Sequence, residues 1–186
     1  PSSVEPIGVK LGEYTKGYNV LIKPHLWTTF LNKFAEINHK GKNRIFNSLV
    51  RKYDHIHLIS PEEYNITPFY KIADVLLTEA SSTIYEMLAC GKPVIVNRFF
   101  KLKLSHRLFK NRLYKKRLNK EMEKDISNFC FEANKPSDIP SSLDSALNQF
   151  ESRLNKVKEL QKKMLFKLDG LAALRAKKII LSLTKN

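Results

Sequence analysis

Cysteine is scarce in this sequence: there are only Cys90 and Cys130, and they form neither a CxxC pair nor a metal-ligand spacing. That excludes a disulfide scaffold and points to reduced thiols in a cytoplasmic protein. No apolar run approaches the roughly 20 residues that cross a bilayer. Pro1-Ser2-Ser3 opens the chain without a basic start or an apolar stretch, so no signal-peptide pattern is present. The absent initiator Met suggests a processed chain or an excised fragment. Acidic residues are few as well. Eighteen Asp and Glu face thirty-three Lys and Arg, a net charge of +15, which predicts attraction to something anionic without choosing among nucleic acid, membrane and phosphate-rich substrate.

What is present describes a soluble globular domain. Hydrophobic residues at 42% and charged residues at 27% of a 186-residue chain allow one domain, residues 1–186, with a proper core. There is no internal repeat and no low-complexity linker. Apolar strands are expected at Asn19–Ile22, at HIHLIS (55–60), at VLLT (75–78), at PVIV (93–96) and at NFCFEAN (128–134). Helical spacing predicts helices over about Trp27–His39 and Lys42–Lys52, the second presenting Ile45, Phe46, Leu49 and Val50 on one face. STIYEMLA (82–89) reads as a helix closed at Gly91, while NITPFYKI (65–72) reads as a connection. C-terminal helices are expected over about 141–183, with Ser141 or Ser142 as the first N-cap and a break at Asp169-Gly170. Alternating strands and amphipathic helices imply an α/β fold, a Rossmann-like parallel sheet with helices on both faces.

Chemistry concentrates at ADVLLTEASSTIYEMLACGKPVIV (73–96). An apolar strand runs into two adjacent serines and a helix start. Such a turn presents backbone N–H groups and hydroxyls to an anion. Ser81 or Ser82 acting as a plain helix N-cap is the competing reading, and both can hold at once. Ligands of doubly wound sheets sit at the carboxyl ends of strands, where His25 and the Thr78–Ser82 turn both fall.

A second feature is a basic helical segment at about 98–124. Residues 98–120 carry ten Lys or Arg and no acid, with leucines interleaved. Lys101, Lys103, Arg107, Lys110, Arg112, Lys115, Lys116 and Arg117 would suit an anionic membrane surface. A solvated cationic face whose leucines pack on the domain is the alternative. Nucleic acid is not the expected partner, because no recognised motif accompanies the charge.

In order, PSS, GYNVLIKPH, ADVLLTEASSTIYEMLACGKPVIV and DGLAALR make the chain resemble the nucleotide-binding, C-terminal half of the CDP-glycerol glycerophosphotransferase family. This is the teichoic-acid polymerase type of GT-B transferase. The resemblance covers residues 1–97 well and the rest loosely. It implies that His25, in the Pro-His turn, faces the pyrophosphate of a nucleotide-activated donor and neutralises or protonates the leaving group. It also implies that Lys23, Thr78, Ser81, Ser82 and Thr83 surround the donor phosphates and that Glu86 meets the nucleotide ribose. No cofactor and no bound metal are expected. The implied acceptor is a lipid-linked glycan of a bacterial cell envelope, met by a cytoplasmic protein at the inner membrane face.

The sequence departs from the family pattern at Glu79 for Asp, Ala80 for an aromatic residue and Leu26 for the second proline. These changes bear on which nucleotide and which group are carried. The family's Pro-Ser step follows an apolar strand, so the resemblance implies a fragment cut after that strand. The partner N-terminal GT-B domain would lie upstream, and the isolated fragment would be inactive. Rival readings are a GT-B glycosyltransferase using a UDP-sugar for lipopolysaccharide or capsule, and a non-catalytic basic module for membrane or nucleic acid. A UDP-sugar 2-epimerase is disfavoured, because the Ser-Gly-Gly turn of such enzymes is absent.

Overall fold

The computed structural model describes residues 3–24, 36–60, 62–79, 81–99 and 120–184. Its N-terminal stretch is helical: α1 (Val4–Ile7), a 3-10 turn (Gly8–Lys10) and α2 (Leu11–Tyr14). Strand β1 (Val20–Ile22), helix α3 (Glu36–Lys52) and strand β2 (Ile56–Leu58) follow. Next come α4 (Thr67–Ile72), β3 (Leu76–Thr78), α5 (Thr83–Ala89) and β4 (Val94–Asn97). The chain ends with α6 (Lys120–Phe129), β5 (Phe131–Ala133), α7 (Ile139–Gln149), α8 (Leu154–Leu165) and α9 (Ala172–Leu183).

The strands pair in two parallel groups, β1 with β2, and β3-β4-β5 with β4 in the middle. β4 is buried throughout because helices cover both faces of a parallel sheet, which is why PVIV is continuously apolar. Ile84, Met87 and Leu88 form the buried stripe of α5, and Ile139, Leu143 and Ala146 that of α7. These residues share one core with Ile7, Tyr70, Ile126 and Val157. Gly91, at φ 69°, ends α5 in the left-handed region that glycine enters without cost. Two polar side chains then tie helix ends together. Lys92 donates to the carbonyls of Tyr70, Lys71 and Ala73 at the C-terminus of α4, and Gln161 of α8 donates to Leu88 at that of α5.

Several expectations are corrected. One helix, Glu36–Lys52, replaces the break expected between His39 and Lys42, and Gly41 lies inside it. Burial of Phe46 and Leu49 outweighs the weak helix propensity of glycine. Val50 is exposed rather than on the packed face. NITPFYKI contains a helix, α4, with Pro68 in its first turn, where proline is tolerated. Asn128 and Phe129 belong to α6 and not to the last strand. Neither Ser141 nor Ser142 caps α7. Pro136 and Pro140 start helical structure earlier, and the two hydroxyls bond the carbonyls of Asp138 and Glu132 instead. Residues 27–35 of the first expected helix and 100–119 of the basic segment lie outside the described residues.

Candidate functional site

The carboxyl ends of β3 and β4 gather the polar groups. Thr78 ends β3, and its Oγ1 lies 3.3 Å from Oγ1 of Thr83, the first residue of α5. Thr83 Oγ1 in turn lies 2.5 Å from Ser81 Oγ. Three hydroxyls, each able to donate and accept, therefore form one chain across the strand-to-helix turn. Ser82 occupies the N-cap position but its side chain makes no capping bond. Its backbone is already helical (φ −60°, ψ −24°), whereas a capping side chain needs an extended N-cap residue. The plain-cap reading of the two serines is thus not what the side chains do: Ser81 turns to Thr83 and Ser82 is exposed.

Beside this turn lies a cluster that the sequence did not disclose. Glu79 Oε1 accepts from the backbone N–H of Ser3 at 2.5 Å and from its hydroxyl at 3.0 Å. Asn97, at the end of β4, donates from Nδ2 to Ser3 Oγ at 3.1 Å. Ser3 and Asn97 are both buried, and Asn97 Oδ1 is buried with no hydrogen-bond partner among the described residues. The only hint in the sequence was a polar residue closing an apolar run at Asn97. Glu79 thus binds the N-terminal segment to the strand end.

Glu86 is exposed on α5, one turn beyond Ser82, and stands beside Tyr70 of α4. Burial, and then the charge of Glu86, push the Tyr70 phenol well above its usual range. Lys23 follows β1 in the other sheet group and is half-buried. The structure therefore unites Thr78, Ser81 and Thr83, sets Ser82 and Glu86 on the same turn and helix, and leaves Lys23 just after β1, in the other strand group. His25 lies outside the described residues, as do Lys101, Lys103, Arg107, Lys110, Arg112, Lys115, Lys116 and Arg117.

A separate open groove of about 270 Å³ runs against β5 and the start of α7, lined by Glu132, Asp138 and three serines, Ser141, Ser142 and Ser145, among others. It contains none of the residues expected to hold a donor. Among the described residues, no group of three or more His, Cys, Asp or Glu is placed to hold a metal ion. No helix among them is long and apolar enough to cross a membrane. No family model matches the chain, and no curated protein or solved structure matches it.

Proposed function

We propose that this chain is the donor-binding half of a CDP-glycerol-type polyol phosphotransferase of the GT-B architecture. The observation that carries the reading is the hydroxyl chain Thr78–Thr83–Ser81 at the carboxyl end of β3, where doubly wound sheets bind phosphorylated ligands. The strand order adds support. A doubly wound sheet of order 3-2-1-4-5-6 without its first strand would read β2-β1, a gap, then β3-β4-β5, and the pairings of β1 with β2 and of β3-β4-β5 are compatible with it. On this reading a further parallel strand belongs between β1 and β3, and an N-terminal GT-B domain completes the enzyme.

The reaction is attack of an acceptor hydroxyl on the β-phosphorus of the CDP-activated polyol. A phosphorus–oxygen bond forms to the acceptor, the bond to the bridging oxygen breaks, and CMP leaves. His25 neutralises or protonates the departing phosphate, and the hydroxyl chain with the adjacent N–H groups binds the pyrophosphate oxygens. Glu86 takes the ribose.

Calorimetric titration with CDP-glycerol, CDP, CMP, UDP and UDP-GlcNAc tests the proposal, on this chain and on a polypeptide extended upstream. Saturable binding of the cytidine nucleotides, weakened by His25→Ala and by Ser81→Ala/Ser82→Ala, supports it. A preference for uridine ligands overturns it in favour of a sugar transferase. Failure of both polypeptides to bind any nucleotide overturns it in favour of a non-catalytic module.

A further inference from the structure

Helix α9 carries no buried residue, although five of its nine side chains other than alanine are large and aliphatic. Ile179, Ile180 and Leu183 are 61%, 59% and 71% exposed, and Leu174 and Leu181 are about half exposed. Ile179, Ile180 and Leu183 sit at spacings of one, three and four, so with Ala172 and Ala176 they form one apolar arc. Arg175 and Ser182 border that arc on one side, Lys177 and Thr184 on the other. Leu174 and Leu181, seven residues apart, form a second narrow stripe between Lys177 and Lys178. The loop leading into the helix is folded rather than frayed. Asp169 pairs with Arg175 at 2.8 Å and accepts from the Leu171 N–H at 3.0 Å, while Phe166, 70% exposed, stacks under Arg175 with 5.7 Å from ring centroid to guanidinium. Asp169 is the last acid of the chain, and residues 170–186 carry four basic residues and none that is acidic.

We propose that α9 and Phe166 form an interfacial anchor that lies in the surface of an anionic lipid bilayer. The charge pattern selects this occupant. A second copy would bring one segment with four basic residues and no acid up against another, with no acid on either side to offset them. On an anionic bilayer the arc of Ile179, Ile180 and Leu183 enters the acyl boundary and the stems of Arg175 and Lys177 beside it extend to the phosphates, while the narrow Leu174–Leu181 stripe stays on the opposite side of the helix. The anchor is independent of donor binding, and it lies elsewhere in the chain than the basic segment 100–119.

Co-sedimentation of the full chain with phosphatidylcholine vesicles, with and without about 30 mol% phosphatidylserine, tests it. Binding is expected only to the anionic vesicles. Ile180→Ser/Leu183→Ser and, separately, Lys177→Gln/Lys178→Gln should each lower the partition coefficient about tenfold or more. Because none of these side chains is buried, circular dichroism and the unfolding midpoint should stay as in the parent. Retained binding in both α9 variants overturns the proposal, all the more if Lys115→Gln/Lys116→Gln/Arg117→Gln abolishes it. Concentration-dependent dimerisation without lipid, lost in Ile180→Ser/Leu183→Ser, overturns it in favour of a second copy.

Discussion

Replacing Lys92 with Met separates structure from chemistry in the Gly-Lys-Pro step. The ammonium of Lys92 lies 3.1, 2.7 and 2.6 Å from the carbonyl oxygens of Tyr70, Lys71 and Ala73. These close the C-terminus of α4, where a cation also meets the negative end of the helix dipole. At six residues α4 is too short to persist alone, so it depends on such ties and on burial of Tyr70. Hydrogen bonds to a charged group contribute about 1.5–3 kcal/mol each when fully desolvated. Lys92 is only half-buried, its three bonds share one ammonium charge, and water can replace part of what is lost. A total of about 2 kcal/mol follows, because methionine keeps the apolar stem and removes only the charge. For a domain of this size that is a fall of about 4–8 °C in the unfolding midpoint. Lys92 precedes β4 at its amino end, opposite Asn97 and the hydroxyl chain. Urea unfolding should therefore show a lower midpoint at an unchanged slope, while the proposed nucleotide affinity stays as in the parent. A loss below about 0.5 kcal/mol would refute the capping argument. Loss of nucleotide affinity in the folded variant would refute the separation between cap and site.

Three further outcomes are expected. Gly12→Ala should destabilise by about 1–3 kcal/mol in urea titration, because a Cβ there would overlap the Tyr53 ring against which α2 packs. Ile95→Ala, in the fully buried middle of β4, should cost about 2–5 kcal/mol by the same assay. Thiol labelling should modify exposed Cys90 quickly and buried Cys130 only on unfolding. Burial, with a smaller contribution from Glu132, pushes the Cys130 thiol from 9.0 up to about 12. The unfolded chain therefore gives up this proton at lower pH than the native one. The contribution is full below about pH 9 and is lost as pH rises towards 12, so Cys130→Ala should flatten the alkaline decline in stability.

Much of the strand pattern was readable because its cause is local. PVIV is apolar without alternation, as a strand covered on both faces must be, VLL before it is apolar and half-buried, and Gly91 with Pro93 punctuates the turn between them. Helix limits were harder where tertiary burial overrides propensity, as at Gly41, or where two prolines start a helix before the serines that resemble its cap. The hydroxyl chain was legible in part, since Thr78, Ser81 and Thr83 fall within six residues. Its partner cluster was not. Ser3 meets Glu79 across 76 positions and Asn97 across 94, a proximity that only the folded sheet creates.

The two free strand edges provide the sharpest test of the proposed architecture. In a parallel ladder alternate residues bond to opposite sides. Leu76 donates to Pro93, so the next N–H, that of Leu77, points away from β4. Val20 donates to His55, so the N–H of Leu21 points away from β2. Among the described residues, no strand pairs with either outer edge. In this chain the amides of Leu21 and Leu77 should exchange with solvent far faster than those of Leu76 and Ile95, which face a paired neighbour. In a polypeptide that supplies the proposed strand, both slow amides to be gained lie on the same two residues, one on each side of it. They should become protected together. Protection of Leu77 without Leu21 would mean that the added strand extends only the β3-β4-β5 group, and the order 3-2-1-4-5-6 would be wrong for this domain. Joint protection follows from one strand bridging two edges, because a single hydrogen-bonded insertion satisfies both rows of donors at once.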